Sequence, residues 1–185
     1  MSTFEAAIPV IMAHEGGWVN DASDLGAETN FGWSTSTIKS LGLTAADLGV
    51  PGPMFSPGYL KPMKPEVAIA LYRKEFWDKF GFGAILDQTA ATKCMDCAVN
   101  CGPKRSAKIS QGAVNTLLPR KLVIDGAFGP MTYGAINSLD PRKFVKAMSV
   151  VMADYYNSIA ISRPQNSKFL PCWLKRAKWG VMESK

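Results

Sequence analysis

The sequence predicts a mostly α fold of the α+β type, in which a helical bundle carries one small β-hairpin region that bears a cleft. Apolar residues recur at helical spacing over most of the 185 residues, which favours amphipathic helices. The stretch from Trp18 to Trp33 is instead rich in Asn, Asp, Ser, Gly and Thr, and has room for a short hairpin. Strands and helices do not alternate along the chain, so a parallel sheet of the Rossmann type is not expected.

The first helix is predicted over Ser2–Glu15. Ser2 and Glu5 have the spacing of a capping box. The apolar residues on the same helical stripe as Glu15 are Phe4, Ile8, Ile11 and Met12. Gly16-Gly17 ends the helix, because glycine accepts the backbone conformations found after helix C-termini. The helix therefore ends at Glu15.

Capping residues and prolines divide the rest of the chain into further helices. Ser34 and Thr44 are typical N-caps. Pro65, Pro130 and Pro141 suit the first turn of a helix. Helices are predicted over residues 34–41, 44–48, 64–80, 85–101, 104–118, 130–137, from 141 onward, and 170–182.

Composition and charge limit the class of protein. Hydrophobic residues make up 47% and charged residues 19%, which excludes a disordered tail. No apolar stretch approaches the roughly 20 residues that span a bilayer. The N-terminus lacks a basic region before an apolar one, so we expect no secretory signal. The net charge of +6, with a modest cluster in Lys168–Lys178, favours anionic partners unless it only keeps the surface solvated.

Glu15 is the first candidate for chemistry. Its position on the apolar stripe partly desolvates the carboxyl group, and the C-terminus of a helix is the negative end of its dipole. Both effects favour the protonated form, which a general acid needs. The alternative is a solvated glutamate at the end of a helix.

A second carboxylate follows in the polar stretch. Asp21, Asp24 and Thr29 lie close together in sequence, and two carboxyl groups in different environments are the acid and base of glycoside hydrolysis. Thr29 would hold a water beside Asp24. Asp21 competes for the same role, and both aspartates also suit turn capping.

The residues around these carboxylates resemble a known family. His14-Glu15-Gly16-Gly17-Trp18-Val19-Asn20-Asp21, continuing from Asp24 to Gly32, is similar to the opening signature of glycoside hydrolase family 108. Further similar stretches are Tyr72–Trp77, Asp96–Gly102 and Phe169–Arg176, so the resemblance covers nearly the whole chain. It implies a lysozyme-like fold and an N-acetylmuramidase that cleaves the β-1,4 bond between N-acetylmuramic acid and N-acetylglucosamine. It also implies that Glu15 protonates the leaving oxygen, while Asp24 and Thr29 act on water.

A second motif lies nearer the C-terminus. Asp125-Gly126-Ala127-Phe128-Gly129-Pro130-Met131-Thr132 resembles a motif of small helical peptidoglycan-binding modules. A structural turn that feeds a helix explains the same residue types. The two motifs divide the chain into a lysozyme-like catalytic region, residues 1–120, and a helical peptidoglycan-binding-like region, residues 121–185, packed on it.

Two further residues are candidates for substrate binding. Trp77 is either a platform on which a sugar stacks or a core aromatic. Asn100 lies four residues after Asp96 on the same helix face, so its amide either faces a cleft or makes a hydrogen bond between helices.

The cysteines allow three interpretations. Cys94, Cys97 and Cys101 fall on one helical face, as in a packing seam of free thiols. One alternative is a disulfide that involves Cys172 or joins two cysteines three residues apart. The other is a zinc site. The sequence has no HExxH, GxSxG, P-loop or GxGxxG motif, which argues against a zinc peptidase, an α/β-hydrolase and nucleotide-dependent chemistry. We expect neither metal nor cofactor.

The resemblance to family 108 implies a peptidoglycan hydrolase, in the setting of a phage endolysin that lyses its host. It would be a monomer made in the host cytoplasm that reaches the cell wall in the periplasm with the help of a holin, and it would bind peptidoglycan and no nucleic acid. One alternative is a lytic transglycosylase that uses Glu15 alone. The other is a non-catalytic wall-binding or secretion accessory protein.

Overall fold

The computed structural model describes residues 1–20 and 28–181. The chain forms two compact units, Ile8–Glu75 and a second that joins Met1–Ala7 to Phe76–Lys185. The fold is mostly α with one small antiparallel sheet, which confirms the predicted class. None of the helices in these described ranges is long and apolar enough to cross a membrane.

The N-terminal part of the structure contains short helices and the sheet. The elements are α1 (Phe4–His14), β1 (Val19–Asn20), β2 (Glu28–Asn30), β3 (Trp33–Ser34), α2 (Thr35–Leu41), α3 (Ala45–Leu48) and α4 (Pro65–Tyr72). A π-helical segment, Arg73–Asp78, follows α4 directly. The sequence predicts a single helix over 64–80, because apolar spacing alone does not distinguish an α-helix from a π-helical continuation.

The predicted hairpin region is a three-stranded antiparallel sheet in the order β1-β2-β3. Thr29 is its centre, since it is paired with Val19 on one side and with Ser34 on the other. Successive side chains of a strand point to opposite faces. Glu28 and Asn30 are buried, whereas Thr29 is half-buried and points the other way.

The capping box predicted at Ser2 is wrong. The Ser2 hydroxyl donates to the carbonyl of Ile85 at 2.6 Å, so it makes a tertiary contact instead. The neighbouring Thr3 accepts from the backbone N–H of Ala6 at 3.3 Å, and α1 begins at Phe4. By contrast, the caps predicted for α2 and α3 are confirmed.

The second unit is a helical bundle. Its α-helices are α5 (Gln88–Cys101), α6 (Pro103–Leu117), α7 (Pro130–Asn137), α8 (Pro141–Ser162) and α9 (Leu170–Lys178). The long α8 packs against α5, α6 and α9. The largest differences from the predicted bounds are at two helix ends. Asp87 caps α5 by accepting from Ala90 N–H at 2.8 Å, so α5 begins later, and α9 ends at Lys178.

Buried charges join α5 to α9. The guanidinium of Arg176 meets the carboxylate of Asp96 at 2.8 Å, with 10% and 1% of the two side chains exposed. Arg176 therefore does not belong to an open basic surface, although the sequence groups it with its neighbours. The ammonium of Lys93 is buried and donates to the carbonyls of Ala177 and Trp179, both at 2.7 Å.

Candidate active site

Glu15 lies where α1 ends. Its backbone N–H donates to the carbonyl of Ile11 at 3.0 Å, so it occupies the last turn of the helix. Ile8 and Ile11 of the predicted stripe are buried, whereas Glu15 is half-buried and the following Gly16 and Gly17 are exposed. The carboxyl group thus lies at the border between the core and solvent.

Gly32 lies against the Glu15 carboxylate. Its backbone has φ +80°, a region that favours glycine. A Cβ placed on Gly32 would lie 2.6 Å from Glu15 Oε2 and still closer to the hydroxyl oxygen of Tyr72. Both oxygens therefore lie in the space that a side chain on Gly32 would take. A residue larger than glycine would displace the carboxylate, the tyrosine or both.

Tyr72 is fixed on several sides. Its hydroxyl donates to the carbonyl of Phe31 at 2.9 Å, and the centroid of its ring lies 4.9 Å from that of the Trp33 ring. The indole N–H of Trp33 donates in turn to the carbonyl of Ala68 at 3.3 Å. The structure places the Tyr72 hydroxyl beside Glu15 and Gly32.

The turn that carries Gly32 is strained. Phe31 has φ +47°, which is rare for a bulky residue. Positive φ at both central residues is typical of the type I′ turn that joins β2 to β3. The hydrogen bond from Tyr72 to the Phe31 carbonyl stabilises this turn, and conformations of this kind cluster at functional sites.

Thr29 lies in the same unit as Glu15. Its half-buried side chain lies on the face of β2 opposite Glu28 and Asn30. Asp21 and Asp24 lie outside the described residues. The roles predicted for Asp24 and Thr29 therefore stay predictions.

Glu28 is a buried carboxylate whose importance the sequence does not reveal. It is 3% exposed and accepts from the Trp18 indole at 2.7 Å. It also accepts from the backbone N–H groups of Gly58 and Leu60, at 3.0 and 2.8 Å. A buried carboxylate requires hydrogen-bond partners, and through these donors Glu28 holds the loop after α3 against the sheet.

Trp18 presents an open aromatic surface near the catalytic candidate. It lies three residues after Glu15 and is 39% exposed. Glu28 fixes its indole N–H, and the ammonium of Lys61 lies 5.2 Å from its ring centroid. A fixed aromatic ring with an open face suits stacking against a sugar. Its place after Glu-Gly-Gly is the sequence signal that would have found it.

The structure gives no support to substrate binding by Trp77 or Asn100. Trp77 is 7% exposed and packs edge-on against Phe4, with 6.1 Å between the ring centroids. This is the geometry of a core aromatic. The amide of Asn100 donates to the Tyr156 hydroxyl at 2.7 Å and accepts from Arg176 at 3.3 Å. The nitrogen and the oxygen of this amide therefore both make hydrogen bonds between helices.

All four cysteines are free thiols. Cys94 and Cys97 are buried, Cys101 is half-buried and Cys172 is exposed. Burial raises the pKa of the Cys94 thiol to about 12. No three His, Cys, Asp or Glu side chains of residues 1–20 and 28–181 lie close enough to hold a metal ion.

Comparison with known families decides the class of this protein. Residues 8–102, more than half of the chain, match the family described as Glycosyl hydrolase 108. The chain belongs to this family. It is therefore a glycoside hydrolase, and the resemblance seen around Glu15 is confirmed. The match contains Glu15, Thr29, Gly32 and Tyr72.

A second match supports a polysaccharide of the cell wall as the substrate. Residues 105–178 match the family described as Predicted Peptidoglycan domain. In a family 108 hydrolase, this second match supports a peptidoglycan hydrolase role. No curated protein matches the sequence.

A solved structure has the same fold. The structure of SagA from Brucella abortus is similar over 98% of this chain and 97% of its own, with a TM-score of 0.69 and 21% sequence identity. At this identity the similarity concerns the fold. Both regions of the chain therefore share a known architecture.

Proposed function

We propose that this family 108 hydrolase is an N-acetylmuramidase with Glu15 as the general acid. It would hydrolyse the β-1,4 bond between N-acetylmuramic acid and N-acetylglucosamine in peptidoglycan. The observation that carries the proposal is the position of Glu15: half-buried at the end of α1, against Gly32 and beside the Tyr72 hydroxyl.

The carboxyl group of Glu15 supplies the proton. It protonates the glycosidic oxygen as the bond from that oxygen to the muramic acid C1 breaks, so the leaving sugar departs as a neutral alcohol. Water adds to C1 and gives its proton to the carboxylate of Asp24, with Thr29 orienting the water. The product is a reducing N-acetylmuramic acid end.

Three neighbours position the reacting groups. Gly32 leaves space for the carboxylate, and Tyr72 fixes the turn that contains Gly32. Trp18 offers its open face to a sugar ring. Because these groups are fixed before substrate binds, little ordering is required at the moment of reaction.

The proposed stereochemistry is inversion. In inverting glycosidases the two carboxyl groups lie roughly 6.5–9.5 Å apart, which leaves room for a water between them. Asp24 follows Glu15 by nine positions, across Gly-Gly and a strand. NMR of the first-formed anomer tests this assignment: inversion gives the α-anomer of the reducing end, and the β-anomer would contradict it.

Replacement of Glu15 tests the general acid. We expect Glu15→Gln to lower the rate of sacculus digestion by about 10²–10⁴-fold, because glutamine has the same shape but no proton to give. The melting temperature should stay within a few degrees of that of the wild type. A variant that folds normally and keeps most of its activity would contradict the assignment.

The setting we propose is that of a phage or prophage endolysin. The chain would act as a monomer on the periplasmic cell wall after a holin opens the inner membrane, and the charge of +6 would serve attraction to the anionic wall rather than to nucleic acid. Expression in the cytoplasm with and without a holin tests this: lysis should require the holin. Lysis without it would contradict the proposed route.

A further inference from the structure

A groove lies in the second unit, and none of the residues assigned to catalysis lines it. It has a volume of about 600 Å³ and lies between the segment 118–125 and α7. The residues that define it here are Leu118, Arg120, Val123, Met131, Gly134 and Ala135. This volume is in the range of sites for small ligands. We call it the α7 groove.

Two side chains of α6 hold the wall of the α7 groove in place. The Asn115 amide accepts from the N–H of Leu122 at 2.7 Å and donates to its carbonyl at 2.9 Å. The Gln111 amide accepts from the N–H of Gly126 at 3.0 Å and donates to the carbonyl of Ala127 at 3.1 Å. The segment between these two anchors is therefore fixed before a ligand binds, which lowers the entropic cost of binding.

The fixed segment exposes apolar side chains and open backbone groups. Val123 is 80% exposed, Ile124 is 49% exposed, and Met131 on the facing helix is 72% exposed. Apolar exposure concentrated in one place marks an interaction site. Within the described chain, the backbone N–H and C=O groups of Val123 and Ile124 make no hydrogen bond to another backbone group. An extended peptide bound beside them would satisfy these groups.

The charges of the α7 groove favour an anionic ligand. Arg120 and Lys121 line it, and the one carboxylate is that of Asp125. Hydrogen bonds from Ala127 and then from Gln111 hold the pKa of Asp125 below its ordinary value, so this carboxylate is ionised but already occupied. Arg120 is exposed, so its guanidinium is available to bind a carboxylate of the ligand.

The composition of the lining argues against a sugar. None of the side chains that line the groove is aromatic, although stacking on aromatic rings is a common way to bind a sugar face. Gly134 and Ala135 leave a shallow floor that fits small side chains. The groove therefore suits a short peptide with methyl-sized side chains and free carboxylates.

We propose that the α7 groove binds the stem peptide of peptidoglycan, rather than its glycan chain. The proposal rests on the proposed function for one point, that the polymer is peptidoglycan. The groove itself lies within the residues that match the predicted peptidoglycan domain. Anchoring through the peptide would leave the glycan chain available to the catalytic unit.

A soluble stem peptide tests the proposal. We would titrate the full-length ¹⁵N-labelled chain with the tetrapeptide L-Ala–γ-D-Glu–diaminopimelate–D-Ala, and separately with chitotetraose. The expected result is that the tetrapeptide shifts the amide signals of Val123, Ile124 and Gly134, whereas chitotetraose leaves them in place. Absence of shifts with the tetrapeptide, or shifts of these amides with chitotetraose alone, would overturn the proposal.

A blocked groove provides the second measurement. A Cβ on Gly134 meets nothing within 4 Å, so Gly134→Leu fills the groove without a clash and improves the helix propensity of α7. We expect the dissociation constant for the tetrapeptide to rise at least tenfold. Ser158→Leu, which adds the same side chain at an exposed position of α8, should leave it unchanged. Unchanged binding by Gly134→Leu would overturn the proposal.

Failure of this proposal can be told apart from failure of the proposed function. The tetrapeptide contains no glycosidic bond, so its binding does not depend on Glu15. Sacculus digestion is measured on the same wild-type sample. Digestion without peptide binding would reject the α7 groove alone, and peptide binding without digestion would reject the muramidase alone.

Discussion

At the scale of single residues, the site depends on a glycine at position 32. Gly32 has a positive φ, and a Cβ there would collide with both the Glu15 carboxylate and the Tyr72 hydroxyl. The strained Phe31 beside it is held by a hydrogen bond from Tyr72. One short turn therefore fixes the position of the candidate general acid.

Gly32→Ala tests this arrangement. A left-handed backbone costs a residue with a Cβ about 1–2 kcal/mol, and here the methyl group also displaces Glu15. A misplaced catalytic group lowers the rate by about 100-fold. We therefore expect Gly32→Ala to lose stability, measured by thermal unfolding, and activity, measured by sacculus digestion.

Gly42→Ala is the matched control. Gly42 has φ +65°, but a Cβ there meets nothing within 4 Å. It should lose similar stability and keep its activity. If both variants lose activity equally, Gly32 does not act by positioning Glu15.

The sequence predicts this site only in part. The position of Glu15 follows from helical spacing and Gly-Gly, which are local signals. The contact between Gly32 and Tyr72 joins residues forty positions apart, and Glu28 acts through Gly58 and Leu60. Such contacts depend on tertiary packing, which periodicity does not reveal. The sequence pattern also does not reveal that the buried Oδ1 of Asn30 has no hydrogen-bond partner in the described structure.

At the scale of elements, buried polar groups attach α9 to α5. Lys93 donates to two carbonyls at the end of α9, and Asp96 meets Arg176 one turn further along α5. Helix spacing predicts both helices but not these contacts, because a lysine or arginine is normally solvated.

The pH dependence of stability should report on Lys93. Burial lowers the pKa of its ammonium from 10.5 to about 8. Between these values the unfolded chain binds a proton that the folded chain has lost, so a rise in pH favours the folded state. Relative to Lys93→Met, the wild type should therefore gain about 1–3 kcal/mol as the pH rises from 8 to 10.5.

Denaturant unfolding at several pH values measures this effect. The comparison with Lys93→Met reduces the contribution of groups common to both proteins, among them Cys94, whose raised pKa lowers the stability of the folded state above pH 9. A difference between the two proteins that stays constant from pH 8 to 10.5 would contradict a neutral buried amine.

Arg176→Gln tests the ion pair. It leaves the buried carboxylate of Asp96 without its partner charge, which costs about 3–5 kcal/mol. The expected result is a large loss in the free energy of unfolding. Lys175→Gln, at an exposed position of the same helix, should change stability by less than about 0.5 kcal/mol. Equal effects of the two variants would show that the pair is not buried in solution.

At the scale of the whole molecule, a family 108 match and a peptidoglycan-domain match follow one another along the chain. The sequence predicts this order from Glu-Gly-Gly near the N-terminus and Asp-Gly-x-Phe-Gly-Pro-x-Thr further on. Catalysis and wall binding would then reside in different parts of one chain. The predicted division at residue 120 stays a prediction.

The products of digestion test the central claim most directly. Wild-type protein is incubated with purified sacculi, and the released muropeptides are analysed by mass spectrometry, with Glu15→Gln as the blank. Hydrolysis by a muramidase predicts fragments that end in reducing N-acetylmuramic acid, absent from the blank. Fragments that end in 1,6-anhydro-N-acetylmuramic acid, formed without added water, or in reducing N-acetylglucosamine would contradict it.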